Sequence, residues 1–381
     1  MSNIGIGYTV LPDPREAAKY MVNEARASLA SRPSLAILFS TTNYDTEQLV
    51  SNVQKELGDV PIWGGSSSTG VFANDRWLTG DKGAAALMLI ANRPAGASVA
   101  CVEDDPVRAG KEAAIAAMKQ AGGQVSAFLT LAFMGPEEKL LEGVMQVAPG
   151  TPVVGGSASD HQAESKFFEY GDGHAQRGAF ALGAVGGEVG YAFAHGYRLT
   201  GKKAVITKAT GRRIITLDNR PALDVYAEWT KQKKADLLGS AILFFSVFHP
   251  LLMHKGEATL SVHPVGGNED GTIDTGVAQV EGATIELGEG TADELINAVA
   301  PVIRRAAKNV KKPEAVILSH CGGRAIGLGD RISEVAGQVQ KAVGEVPWIG
   351  YLAFGEQGCL VPGEATHMNL GLSALVLGAK S

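Results

Sequence analysis

Val60-Pro61-Ile62-Trp63-Gly64-Gly65-Ser66-Ser67-Ser68 is a proline, two large apolar residues and a glycine-serine run. The phrase returns as Thr151-Pro152-Val153-Val154-Gly155-Gly156-Ser157-Ala158-Ser159 and, shortened, as Val346-Pro347-Trp348-Ile349-Gly350-Tyr351. Proline suits the first residue of a strand. Two apolar residues after it describe a short buried strand. Glycine then lets the backbone turn sharply or approach another group closely. The phrase therefore predicts a buried strand that runs into a loop, three times over.

Around each copy the same order of elements is readable. Residues 35–39, 127–131 and 315–319 are near-continuous apolar runs, the mark of strands buried on both faces. A helix follows each. One is opened by Asp45, with Leu49, Val53 and Leu57 on one face; the second starts at Pro136; the third is capped by Asp330. The Pro-Gly phrase comes next, and a last strand at residues 83–91, 179–185 and 370–377 closes each unit. Strands joined by a helix pair in parallel through a right-handed crossover. Between the second and third copies the pattern changes. Residues 191–209, 213–217, 241–248 and 258–265 read as strands, 219–229 as a helix, and Thr291-Ala292-Asp293-Glu294 as a capping box. The expectation is an α/β protein with two mixed-sheet domains built from repeated strand-helix-strand-strand units. They span residues 1–210 and 211–381, with the boundary near 205–215.

Composition narrows the function. Apolar residues at 45% supply real cores, and 48 glycines among 381 residues are about twice the usual share. Charged residues are only 19% and the net charge is −6, without the concentrated basic face that nucleic acid requires. No run approaches the ~18 apolar residues of a membrane span, and the N-terminus lacks a secretory pattern. A cytoplasmic protein is expected. Cys101, Cys321 and Cys359 are sparse and widely spaced, so neither a disulfide framework nor a structural zinc site is indicated.

Several near-motifs fail. Gly196-Tyr197-Arg198-Leu199-Thr200-Gly201-Lys202 has P-loop spacing, but Lys203 stands where Ser or Thr must ligate magnesium and a strand follows. Gly64 to Ser68 lacks the last glycine of a nucleophile elbow. No histidine pair has zincin spacing. A single axial ligand to haem needs only one histidine and leaves no spacing signature.

Two clusters stand out. Ser319-His320-Cys321-Gly322-Gly323-Arg324 follows a parallel strand, where open α/β sheets form their ligand crevice. The Arg324 guanidinium suits a bidentate carboxylate, or a structural ion pair. Phe354-Gly355-Glu356-Gln357-Gly358 follows the third phrase, with His367 and Asn369 before the last strand. Glu356 suits a ligand amine, or a turn.

At these residues the chain resembles the FIST family of sensory proteins. The resemblance rests on the Gly64–Gly70 and Gly155–Asp160 segments, on Arg220-Pro221-Ala222-Leu223-Asp224-Val225-Tyr226, and on the Ser319–Arg324, Val346–Tyr351, Phe354–Glu356 and His367–Asn369 stretches. It departs at Leu370, where the family pattern has threonine after asparagine. The resemblance implies an N-terminal and a C-terminal FIST domain. It also implies an intracellular sensor of a small ligand, an amino acid or similar metabolite. With no residues left for an output domain, the signal is expected to pass to a separate partner, such as a histidine kinase or a cyclic-dinucleotide signalling protein. The ligand-binding set is then Gly65, Ser66, Ser67, Gly156, Ser157, Ser159, Cys321, Arg324, Glu356, His367 and Asn369, with Arg324 and Glu356 gripping the two charges of a zwitterion and the Gly-Ser loops offering backbone amides. No metal ligands and no catalytic residues are assigned. Two other readings stay open. Some family members are haem-based nitric oxide sensors. A hydrolase or transferase would use Cys321 or Ser66 as nucleophile, with His320 or His367 as base.

Overall fold

The computed structural model describes residues 2–161, 165–361 and 363–379. The first repeat contains β1 (Ile4–Thr9), α1 (Pro14–Ala27), β2 (Pro33–Thr41), α2 (Thr46–Leu57), β3 (Ile62–Ser67), a hairpin of β4 (Val71–Ala73) and β5 (Arg76–Leu78), and β6 (Ala85–Ala91). The second contains β7 (Ala95–Cys101), α3 (Pro106–Gln120), β8 (Ala127–Ala132), α4 (Glu137–Val147), β9 (Val153–Ser157), the hairpin β10 (Glu169–Gly171) and β11 (His174–Gln176), and β12 (Ala179–Val185).

The third repeat opens with β13 (Val189–Ala194) and is then interrupted. The interruption holds β14 (Arg198–Thr210), β15 (Arg213–Leu217), β16 (Arg220–Pro221), α5 (Ala222–Thr230), α6 (Ala241–Ser246), β17 (Leu251–Lys255), β18 (Ala258–Val262), β19 (Pro264–Gly267), β20 (Ile273–Thr275) and β21 (Thr284–Glu289). The repeat resumes with α7 (Ala292–Asn297), α8 (Val299–Ala307), β22 (Pro313–Cys321), α9 (Gly322–Leu328), α10 (Glu334–Val343), β23 (Trp348–Ala353), the hairpin β24 (Glu356–Val361) and β25 (Glu364–Met368), and β26 (Leu372–Gly378).

Local chemistry accounts for the helix starts. Asp13 accepts hydrogen bonds from the Arg15 and Glu16 amides, with Pro14 in the first turn. Asp45 accepts from the Gln48 amide, and Thr291 with Glu294 closes a reciprocal capping box. Asp330 does not cap a helix. It lies in a 3-10 turn, Gly329–Ser333, and α10 begins after Ser333 without a side-chain cap.

The architecture is mixed α/β, and its sheets are assembled by exchange. The first sheet runs β1-β6-β2-β3-β10-β11, so its last two strands come from the second repeat. The second runs β7-β12-β8-β9-β24-β25, taking its hairpin from the third repeat, and the third runs β13-β26-β22-β23-β4-β5, taking its hairpin from the first. Each repeat gives one hairpin and receives another, in a closed cycle of three. In each of these three sheets the β2/β3, β8/β9 or β22/β23 pair is parallel, as a helical crossover requires, and the neighbouring pairs are antiparallel, whereas the interrupting segment forms a fourth, wholly antiparallel sheet.

The inner faces of the three sheets share one core, in which Phe39 and Trp63, Leu129 and Leu131, and Ile317 and Tyr351 meet. Phe39 stacks on Tyr351 with ring centroids 4.4 Å apart. The outer faces are covered by the repeats' own helices. The interrupting segment has a separate core around Ile206, Leu223, Tyr226, Leu251 and Ile285. Arg93 joins the three repeat boundaries through the carbonyls of Gly186 at 2.6 Å, Glu188 at 3.2 Å and Gly378.

Three expectations need correction. First, the glycines of the repeated phrase lie inside the strands and do not open loops. A Cβ on Gly64 would sit 1.8 Å from the Leu38 carbonyl oxygen, and one on Gly155 would sit 1.9 Å from that of Thr130. Their purpose is close approach to the neighbouring strand. Second, residues 241–248 hold the helix α6. Its buried residues Ile242 and Ser246 are four apart, while Phe244 is 59% exposed, so the eight-residue apolar run hid a helical period. Third, each unit has a leading strand and an exchanged hairpin that the expected order lacked. Residues 205–215, where the boundary is expected, hold the end of β14, a turn and the start of β15.

Candidate functional site

The carboxyl end of β22 delivers Ser319, His320 and Cys321, and the first turn of α9 delivers Arg324. The exchanged hairpin brings Glu356 to stand opposite Gly156, and Gln357 opposite Gly155. The end of β25 adds His367, with Asn369 just beyond it. All of these are buried: Arg324, His320 and Glu356 are 0% exposed. The interrupting segment closes the group from outside. Asn369 donates its backbone N–H to the Ser261 carbonyl at 3.0 Å, and the His263 N–H points to Asn369 Oδ1 at 3.4 Å.

Arg324 is held by the backbone. Its guanidinium donates to the His195 carbonyl at 3.4 Å and to the Leu295 carbonyl. No ion pair within 4 Å joins it to Glu356. Glu356 accepts the Gly371 amide at 2.7 Å, and burial pushes its carboxyl up to about 8 against the opposing pull of that amide and of Arg324. At neutral pH it is therefore mainly protonated. Burial first, and Arg324 second, keep the His320 imidazole neutral. Burial, reinforced by Glu356, pushes the Cys321 thiol up. A protonated thiol is a poor nucleophile.

Several polar atoms here have no partner. They are His320 Nε2, Arg324 Nε, Glu356 Oε1, Gln357 Oε1 and His367 Nδ1. Each such atom costs about 1–3 kcal/mol when left unmet in an interior. Leu370, beside the cluster, takes φ +52°, a left-handed conformation uncommon for leucine.

A second polar group adjoins the first. Ser157 Oγ donates to Glu137 Oε1 at 2.9 Å, and Gln357 Nε2 donates to Ser157 Oγ at 3.3 Å. Arg212, reaching over from the interrupting segment, donates to Glu137 Oε2 at 2.6 Å and Glu138 Oε2 at 2.9 Å. His367 Nε2 lies 3.4 Å from the Gly276 carbonyl and 3.8 Å from Glu137 Oε1.

The eleven residues expected from the sequence thus divide. Cys321, Arg324 and Glu356 come together, with Gly156 opposite Glu356; His367 joins Ser157 in the group around Glu137, and the Asn369 side chain faces His263 and Gly276. Gly65, Ser66 and Ser67 lie at the joint where the second repeat's hairpin enters the first sheet. There the Phe168 amide donates to Ser66 Oγ at 2.8 Å and the Leu352 amide to Ser67 Oγ at 2.8 Å. Ser159 links two such joints, through the Ser66 carbonyl at 3.1 Å and the Leu352 carbonyl.

Sequence reading missed Gln357, His263, Glu137, Arg212 and Glu169. One signal was present. Glu169-Tyr170-Gly171 and Glu356-Gln357-Gly358 start equivalent hairpins, and their glutamates pair with Gly65 and Gly156 respectively. Glu169 is likewise raised to about 8 by burial, with its Oε1 unpartnered and its Oε2 taking the Ala179 amide at 3.1 Å.

Family models place a FIST N domain over residues 34–220 and a FIST C domain over residues 222–359. The chain belongs to the FIST family. FIST domains are sensory domains of signal transduction. The uncharacterized protein Rv0628c of Mycobacterium tuberculosis is 25% identical over 96% of this FIST chain and 97% of its own length. The uncharacterized protein Mb0898c of Mycobacterium bovis is 25% identical over 96% of each chain. The archaeal protein MJ1623 of Methanocaldococcus jannaschii, also uncharacterized, is 25% identical over 54% of this chain and 44% of its own length. Among solved structures, PurLQS from Thermotoga maritima aligns at a TM-score of 0.24 and 10% identity, over 98% of this chain and 71% of that one, which is too slight a likeness to argue from. Among the described residues of this FIST protein, no helix is long and apolar enough to cross a membrane, and no group of His, Cys, Asp and Glu is placed to hold a metal ion.

The raised carboxyls carry a pH prediction. A carboxyl whose folded value lies above its ordinary 4.5 keeps its proton in the native state while the unfolded chain ionises. Its contribution to stability is intact below about pH 4.5 and is lost as pH rises toward about 8. The loss is at most about 1.4 kcal/mol per pH unit for each group. Glu169→Gln removes one such group. Urea denaturation from pH 5 to pH 8 should show the variant gaining on the wild type as pH rises. A difference that stays flat with pH would refute the buried, neutral carboxyl.

Proposed function

We propose that this protein is a sensor that binds a small polar metabolite at the cluster of Cys321, Arg324 and Glu356, and passes the signal to a separate partner. The observation that carries this reading is the concentration of unpartnered buried polar atoms around His320, Arg324 and Glu356. Such atoms are normally met by protein, water or ligand. A ligand with both donors and acceptors, such as an amino acid, answers them. With Glu356 protonated, the ligand's ammonium would take the proton-free side of the cluster or shift Glu356 to its charged form on binding.

The interrupting segment supplies the route from binding to signal. It seals the cluster through Ser261, His263 and Asn369, so a ligand enters only when that seal opens. Opening changes a surface that a kinase or a cyclic-dinucleotide protein can read. The haem reading fits less well. The unpartnered ring nitrogens of His320 and His367 lie on fully enclosed rings, and a single Cβ on Gly355 would come within 2.3 Å of the His367 ring. A macrocycle at either ring would require these side chains to move apart.

A thermal-shift screen of amino acids and related metabolites tests the proposal, because any native-state ligand raises the melting temperature. The expected result is a hit whose shift disappears in the Arg324→Met/Glu356→Gln double variant while the circular dichroism spectrum is kept. A hit that shifts both proteins equally would place the ligand elsewhere.

A further inference from the structure

Arg324 is a buried charge without a counter-charge. Its side chain is fully enclosed, and a guanidinium keeps its proton in a protein interior. Buried charges are normally paired with a charge of opposite sign. Glu137, equally enclosed, follows that rule, with the Arg212 guanidinium at 2.6 Å. Arg324 does not. Among the described residues its acceptors are the carbonyls of His195, at 3.4 Å, and Leu295, and its Nε has none. Carbonyls satisfy N–H groups but bring no net charge.

The neighbouring side chains do not supply the missing charge. Glu356 is held protonated by burial. Its Oε2 already accepts the Gly371 amide, which leaves the proton to Oε1, and Oε1 has no partner. The Cys321 thiol keeps its proton as well. The His320 ring is neutral. Its Nδ1 faces the Cys321 carbonyl at 3.2 Å, and a carbonyl only accepts, so the ring proton is on Nδ1. His320 Nε2 is then a bare acceptor that no donor meets. The cluster thus holds one fixed positive charge, two unused donors at Arg324 Nε and Glu356 Oε1, and one unused acceptor at His320 Nε2.

Of the metabolites a sensor could bind here, an amino acid leaves this charge uncompensated. Its carboxylate suits Arg324, but its ammonium adds a second positive charge where no carboxylate is ionised. A hydroxyl in place of the ammonium offers a donor to His320 Nε2 and adds no charge.

We infer that the ligand is a small hydroxycarboxylate, a monoanion whose carboxylate pairs with Arg324 and accepts from Glu356 and whose hydroxyl donates to His320. This rests on the reading of the cluster as the sensor's ligand site.

Pairs of compounds that differ only in that group provide the test: glycolate and glycine, L-lactate and L-alanine, L-2-hydroxyisovalerate and L-valine. In thermal-shift titrations of the full chain at neutral pH, at least one hydroxy acid should raise the melting temperature saturably. Its amino partner should bind at least about tenfold more weakly. Arg324→Met should lose the shift. Glu356→Gln should keep it, because the amide still donates, whereas a carboxylate gripping an ammonium could not be replaced in this way. Far-UV circular dichroism confirms that both variants fold, and the comparison within each pair needs the wild type alone. An amino acid that binds as tightly as its hydroxy partner, and only with Arg324 present, would overturn the inference and leave the ligand site standing. Loss of hydroxy-acid binding in a folded Glu356→Gln protein, or no shift by any hydroxy acid up to about 10 mM, would also overturn it. Shifts that persist in Arg324→Met would overturn the inference and the site together.

Discussion

Gly64→Ala is expected to abolish stable folding. The new Cβ would lie 1.8 Å from the Leu38 carbonyl oxygen and 2.7 Å from its carbon. Both are backbone atoms of the adjacent parallel strand, held by the register that pairs Leu38 with Gly64. No side-chain rotation relieves that overlap, so the two strands must part. Parting them disturbs Phe39 and Trp63, which are fully buried in the core shared by the three sheets. A cost above about 4 kcal/mol is expected, in the range reserved for such core disruptions. Gly155→Ala should behave alike, since its Cβ would meet the Thr130 carbonyl at 1.9 Å. Gly58→Ala is the control. Its φ is +72° with ψ −128°, and nothing lies within 4 Å of the added atom, so only this glycine-favouring backbone conformation is penalised, by about 1–3 kcal/mol. Urea midpoints and soluble yield separate the cases. A Gly64→Ala variant as stable as Gly58→Ala would show that the strands do not approach so closely.

Arg212→Met should detach the interrupting segment from the second repeat. Arg212 is the cation beside Glu137, whose side chain is 0% exposed. Removing it leaves a buried carboxylate with the Ser157 hydroxyl, the Gly135 amide at 2.7 Å and the His367 ring at 3.8 Å. Breaking one half of a buried pair costs about 3–5 kcal/mol. The lower end is expected, because solvent reaches the guanidinium, which is 24% exposed. Glu137→Gln in the same chain should recover at least half of the loss, since the orphaned charge goes with it. Limited trypsin digestion should then cut Arg212→Met faster than the wild type within residues 198–289, and the double variant at an intermediate rate. Equal cutting of all three proteins would mean that Arg212 does not anchor the segment.

The sequence carried the repeat and most of its elements, because buried parallel strands leave dense apolar runs and because Asp45 and Thr291 mark their helices. It did not carry the exchange of hairpins. β4, β5, β10 and β11 are three residues each, too short for a periodic signal. Their partners also lie in another repeat, which no local pattern encodes. The Gly-Ser phrase misled for a related reason. Glycine serves turns and close approaches alike, and only the neighbouring strand shows which applies. Of the buried cluster, Cys321, Arg324 and Glu356 stood out in the sequence as unusual polar residues at strand and helix ends. Arg212 did not, because it arrives from a segment without a counterpart in the other repeats.

The ligand pocket can be seen directly in a crystal structure of the protein grown with the strongest hit from the metabolite screen. The expected result is the metabolite's density under the Ser261–Asn369 seal, within hydrogen-bond distance of Glu356 Oε1, Arg324 Nε and His320 Nε2. Those three atoms bonded to one another instead, with the metabolite bound elsewhere, would contradict a sensor built on that cluster.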